Sequence, residues 1–188
     1  MSNIKISGTA DITSDGIKKH FTNWKKYPFQ SIIELIANGF DSGAKHVDLT
    51  IEHNDAHGLV SVTVLDDGSG VDINKCDQHF SRFNESSKQG DDDSQGAHGK
   101  GRLAFHLLCS NATWYTKCLS SESKIIIDSL KLRNFTAEEI DCDQQHASLS
   151  SYESGTCVVL TNFHENLPEL NALKGKLESY FGWRLILN

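Results

Sequence analysis

Two neighbouring segments, KHVDLTIEH (residues 45–53) and LVSVTVLD (residues 59–66), alternate apolar and polar residues with a period of two. NDAHG between them consists of turn formers, so the pair predicts an antiparallel hairpin with one face of each strand on a core. Four later segments read as further strands: ATWYTKC (112–118), SKIIIDSL (123–130), NFTAEEIDC (134–142) and GTCVVLTNF (155–163). Helical patterns cluster earlier, near 14–24, in YPFQSIIELIANGFDSG (27–43), in VDINKCDQHF (71–80) and in RLAFHLLCS (102–110), with another in PELNALKGKLESYFGW (168–183). Pro28 and Pro168 suit first turns and Gly43 suits a helix exit. The order predicts an α+β fold, a two-layer sandwich with helices on one face of a mostly antiparallel sheet.

A chain of 188 residues suits a single domain, 1–188, with room for a genuine core. No apolar run approaches the roughly 18 residues of a membrane span, and the start lacks the succession of a signal peptide, so a cytoplasmic location without membrane crossing is the expectation. Five cysteines without a C-x-x-C pair fit neither a disulfide framework nor a zinc site, and are expected to be reduced. Nine histidines show no ligand spacing that predicts zinc. The net charge of −7 argues against a nucleic-acid footprint on this domain.

The helix ELIANGFD carries Glu34, Asn38 and Asp41 at i, i+4 and i+7, so all three project from one side. Buried carboxylates cost several kcal/mol unless they meet a cation, a donor or a ligand, so this register points to a site. Where LVSVTVLD ends, the stretch DDGSG places Asp66 before Gly68 and Gly70, which let the backbone turn sharply. A carboxylate there is a pure acceptor, suited to the exocyclic amine of adenine and repelled by the oxygen of guanine. Taken alone, D-x-G-x-G more often describes an ordinary turn. A second cluster, GAHGKG, holds Gly96, Gly99 and Gly101 at a loop-to-helix junction, where free N–H groups and a helix N-terminus favour phosphate, with Lys100 and Arg102 adding charge. Its spacing is neither that of the P-loop nor that of a Rossmann turn, and alone it serves equally as a hinge.

In this order the motifs resemble those of the Bergerat-fold (GHKL) ATPases, the family of the DNA gyrase B subunit, the ninety-kilodalton heat-shock chaperone, the histidine kinases and MutL. The resemblance covers Phe29 to Phe163: ELIANGFD is similar to the N-box, DDGSG to the first glycine box, GAHGKG to the second, and SGTCVVL to the strand closing the adenine pocket. It implies magnesium-dependent ATP binding and hydrolysis. By resemblance, Glu34 is the general base or water positioner, Asn38 the magnesium ligand, and Asp41 the acid ending the box. Asp66 reads adenine with support from Thr156, Gly68 and Gly70 shape the pocket wall, and Gly96, His98, Gly99, Lys100 and Gly101 wrap the phosphates. Residues 81–98 resemble an ATP lid ordered by nucleotide, in which Lys88 is a candidate contact, although a solvated lysine is the more ordinary account of it.

Glu34 in place of the asparagine usual in histidine kinases resembles the hydrolysing gyrase, chaperone and MutL branch. The departures are Gly39 after Asn38 and SGA after Asp41, which are expected to loosen the helix end. The ending GWRLILN is consistent with an N-terminal module of a longer protein, so turnover by this domain alone is expected to be weak. The implied partners are ATP and ADP, downstream domains of the same protein and a nucleotide-dependent homodimer. Two alternatives stay open on the sequence: a histidine-kinase-like protein kinase, and a nucleotide-gated interaction module without turnover.

Overall fold

The computed structural model describes residues 4–9, 13–22, 29–80, 101–119, 121–164, 167 and 170–187. In chain order its elements are β1 (Lys5–Thr9), α1 (Ser14–His20), α2 (Gln30–Asp41), β2 (Val47–His53), β3 (Leu59–Asp66), α3 (Cys76–Phe80), β4 (Cys109–Cys118), β5 (Ser121–Asp128), β6 (Asn134–Glu139), β7 (Gly155–Phe163) and α4 (Leu170–Leu187). The strands form one seven-stranded sheet in the order β1-β6-β5-β4-β7-β3-β2, and every pairing is antiparallel. This is the α+β sandwich expected.

The period-two patterning sets the faces of the sheet. Val62 and Val64 of β3, Ala112 and Trp114 of β4, Ile125 and Ile127 of β5, and Val158 and Leu160 of β7 are buried, together with Ile32, Ile33, Leu35 and Ile36 of α2 and Ile17 of α1. Apolar side chains on one face of each strand thus meet one stripe of each helix, which drives the two layers together. Between β6 and β7 two 3-10 turns, Cys142–Gln144 and Ala147–Leu149, accompany the Cys157 side of the sheet. There Leu149 is buried, and the Cys157 thiol lies 3.3 Å from His146 Nδ1.

The hairpin has the connection its composition predicts. Asn54 Oδ1 accepts from the N–H groups of Ala56 (3.1 Å) and Gly58 (2.8 Å), and His57 takes a left-handed φ of 60°. Helix α2 exits through Ser42 to Gly43, whose φ of 86° is the left-handed conformation that terminates helices. All five cysteines are free, and burial pushes the thiols of Cys76, Cys109 and Cys157 up to about 12.

Three local expectations are corrected. RLAFHLLCS is not an α-helix: Gly101–Leu107 is a 3-10 helix, and Cys109 and Ser110 already belong to β4. Helix α4 runs on to Leu187, past the expected end at residue 183, so that RLIL belongs to it. Strand β1 was not foreseen, because KISGT holds a single large apolar residue; its register is set by pairing with β6, Ile6 opposite Ala137. No helix among the described residues is long and apolar enough to cross a membrane.

Candidate functional site

Helix α2 turns its apolar stripe inward and its polar register away from it. Leu35, Ile36 and Ala37 are buried, Glu34 and Asp41 are partly buried, and Asn38 is exposed. The helix is docked from its first turn by Ser31, whose Oγ donates to the carbonyl of Ala104 at 2.7 Å. This bond brings the 3-10 segment that begins at Gly101 against α2. A Cβ on Gly101 would stand 2.5 Å from Glu34 Oε2 and 2.9 Å from Glu34 Cβ, so the glycine is what lets the glutamate lie there. Glu34 and Gly101, far apart in sequence, are therefore neighbours.

At the other end of α2, Gly39 faces Asp66. A Cβ at position 39 would lie 3.1 Å from Asp66 Cβ and 3.1 Å from Val47 Cγ2. Helix α2 stays regular to Asp41, so Gly39 does not loosen the helix end; it permits a close approach of helix to strand.

Two adjacent aspartates in DDGSG have opposite environments, as alternation along a strand requires. Asp66 is 6% exposed at the end of β3, opposite Thr156 of β7 in the sheet register. Its Oδ1 accepts from Gly68 N–H at 3.0 Å, Ser42 Oγ approaches at 3.4 Å, and the nearby Thr156 N–H favours the charged carboxylate. Burial dominates these bonds and raises the Asp66 carboxyl above its ordinary 3.8. Asp67 is only partly buried. Its desolvation is outweighed by hydrogen bonds from the His46 and Lys45 backbone N–H groups (2.9 and 2.7 Å) and from His46 Nδ1 (2.9 Å), which lower its carboxyl. Asp67 thereby ties the α2–β2 connection to the end of β3.

The turn after Asp66 is clamped from several sides. Gly70 takes φ 68°, and a Cβ there would collide with the Lys117 carbonyl and stand 3.0 Å from Thr116 Oγ1. The fully buried Thr116 accepts from Val71 N–H at 2.7 Å and donates to the Gly155 carbonyl at 3.3 Å. Ser154 Oγ donates to the Gly68 carbonyl at 2.8 Å, and a Cβ on Gly68 would collide with Ser42 Oγ. Ser42, Thr116 and Ser154 were not foreseen as site residues. Serine and threonine at a helix exit, inside a strand and in a turn carry no signal in sequence that separates them from others of their kind.

Asp66, Gly68, Gly70 and Thr156 are thus assembled at the adjoining ends of β3, β4 and β7, while Glu34, Asn38 and Asp41 share the helix beside them. Among the described residues, the Arg102 guanidinium lies over the Phe80 ring at 5.5 Å and donates to the Phe80 carbonyl at 3.4 Å, and burial lowers it to about 10. Lys88, Gly96, His98, Gly99, Lys100 and the whole lid segment 81–98 lie outside the described residues.

A buried acceptor beside tightly approached backbone suits a flat heterocycle that offers N–H donors, and a carboxylate-bearing helix side suits water or a hydrated cation. No curated protein sequence matches the chain. The family model described as histidine kinase-, DNA gyrase B-, and HSP90-like ATPase matches residues 27–161.

Proposed function

The chain belongs to the histidine kinase-, DNA gyrase B-, and HSP90-like ATPase family, and from that premise we propose that it binds ATP with magnesium and hydrolyses it to ADP and phosphate. The observation that carries this reading is Asp66: a buried carboxylate at the end of β3, opposite Thr156, with Gly39 pressed on one side and the Gly68 N–H donating a hydrogen bond. That bond leaves acceptor capacity on the carboxylate, which has about four lone-pair sites. An adenine amine would complete it, whereas the guanine oxygen would meet it as a second acceptor. Thr156, Gly68 and Gly70 support the same pocket.

Asn38, exposed between Glu34 and Asp41, is the magnesium ligand in this reading. A neutral amide oxygen is a hard donor, and the bound ion would neutralise charge on the phosphates. Glu34 accepts the proton or hydrogen bond of the water that attacks the γ-phosphorus while the bond to the bridging oxygen breaks. Gly101 admits Glu34 to that place, and Gly96, His98, Gly99 and Lys100 surround the phosphates. A glutamate here favours the hydrolysing gyrase, chaperone and MutL branch. Closure of the lid at 81–98 through contacts such as Lys88, and nucleotide-dependent association within a larger protein, follow in this reading.

Calorimetric titration with a nonhydrolysable ATP analogue and magnesium, with Asp66→Asn as control and GTP as competitor, tests the proposal. Magnesium-dependent, adenine-selective binding abolished by Asp66→Asn is expected. Binding that ignores the substitution, or that GTP competes for equally, overturns the role of Asp66.

A further inference from the structure

Glu34 is held from its N-terminal side by a chain of polar contacts that ends on another helix. Gln30, one turn earlier in α2, donates from Nε2 to Glu34 Oε1 at 2.9 Å. Its own amide oxygen accepts from the phenol of Tyr180 in α4 at 3.4 Å. The carboxylate contact fixes the amide orientation, since a flipped Gln30 would aim oxygen at an acceptor, and in that orientation the phenol donates to the amide oxygen. The next residue of α4, Phe181, is buried and packs on Phe40 near the far end of α2, ring centroids 5.5 Å apart, whereas Tyr180 is 41% exposed. Helix α4 therefore grips α2 through an apolar anchor and reaches the glutamate through an accessible polar one.

We propose that Gln30 is a positioning residue for Glu34 and that Tyr180 holds Gln30, so that the seating of α4 sets the orientation and proton affinity of the Glu34 carboxylate. The catalytic part rests on the reading of Glu34 as the group that handles the attacking water. Among the described residues, one carboxylate oxygen accepts from the Gln30 amide and the other lies against Gly101. An amide donor favours the charged carboxylate, and its loss weakens that preference. A movement of α4 that broke the long phenol contact would free Gln30 to rotate away without uncovering the Phe181 anchor.

The test is a carbon-13 NMR titration of the Glu34 carboxyl in the wild-type chain, Gln30→Leu, Tyr180→Phe and the double variant. Gln30→Leu is expected to raise the midpoint by roughly 0.5–1 pH unit. Tyr180→Phe should raise it less, and add nothing in the Gln30→Leu background. In phosphate-release assays both single variants should lower kcat and leave nucleotide Kd unchanged, by about tenfold for Gln30→Leu. A Glu34 midpoint that neither substitution moves overturns the inference, and Tyr180→Phe, a surface change, decides it if Gln30→Leu does not fold. Full turnover in Glu34→Gln would instead overturn the catalytic role of Glu34, whatever the titration shows.

Discussion

Gly39 of α2 and Asp66 of β3 meet across the helix–sheet boundary so closely that a single added methyl group would stand 3.1 Å from the aspartate Cβ. Asp66 accepts from Gly68 N–H, lies beside Ser42 Oγ, is buried, and has little freedom to retreat. Gly39→Ala gains about 1 kcal/mol of helix propensity but loses about 1–3 kcal/mol to overpacking. A net loss of stability is expected in urea melts, together with weaker binding of an ATP analogue. An increase in stability would show that the contact yields.

The Asp66 carboxyl titrates above its ordinary 3.8 because it is buried, so the folded chain holds that proton more tightly than the unfolded chain. The contribution of Asp66 to stability is then greatest below 3.8 and falls as pH rises through its folded value. The unfolding free energy of the wild type relative to Asp66→Asn should decline as pH is raised from about 3 to 7. Denaturation series on the two proteins at matched pH check this, and a difference that grows with pH would contradict it.

Asp67 obeys the opposite sign. Hydrogen bonds from His46 and Lys45 lower its carboxyl, so its stabilisation is present above the ordinary value and is lost as pH falls through the folded one. Asp67→Ala should cost about 1 kcal/mol, because the site is partly solvated, and leave adenine-nucleotide affinity unchanged. Neighbouring aspartates would then separate into one that binds and one that braces, read by paired melts and calorimetry.

Gly101→Ala places a methyl group against both Glu34 Oε2 and Glu34 Cβ. The carboxylate end can swing aside, but Cβ cannot without moving α2. Turnover should fall at least about tenfold while analogue binding weakens less, because displacement of an oriented group by a fraction of an ångström is costly to rate. Equal losses in both would assign Gly101 to binding alone.

Thr116→Val keeps the shape and strands the Val71 N–H, with an expected loss of about 1–3 kcal/mol. Thr116→Ser should restore most of it. Thermal melts of the two variants decide between the hydroxyl and the methyl as the part that matters.

The sheet and the helix register were legible because they rest on periodicity: VDLTIEH, LVSVTVLD and TCVVL each alternate or run apolar long enough to declare a strand. KISGT is too short and too small to do so, and it forms a strand only because β6 offers a partner. RLAFHLLCS reads as helix by composition, yet its last residues are claimed by pairing with β7, Cys109 opposite Phe163. Asp66 was visible from a strand that ends on an acid before two glycines. Thr116 and Gln30 were not, since their importance lies in partners reached through the fold: the Gly70–Val71 turn, Glu34 and Tyr180.

Strand β7 is flanked by β3 on one side and β4 on the other, although it is the last in chain order of the described strands. The hairpin β2–β3 and the meander β4–β5–β6 can each pair locally, but among the described residues the only strand that pairs with both is β7. As the chain leaves the ribosome, its two half-sheets wait with open edges, and Asp66 waits beside an empty row where Thr156 will stand. Closing that gap spans much of the chain, a slow step by loop-closure entropy and a vulnerable one for edge pairing. The recognition pocket is therefore the last part of the sheet to come into being, and a chain that stops short of Gly155 should accumulate as an aggregating half-product.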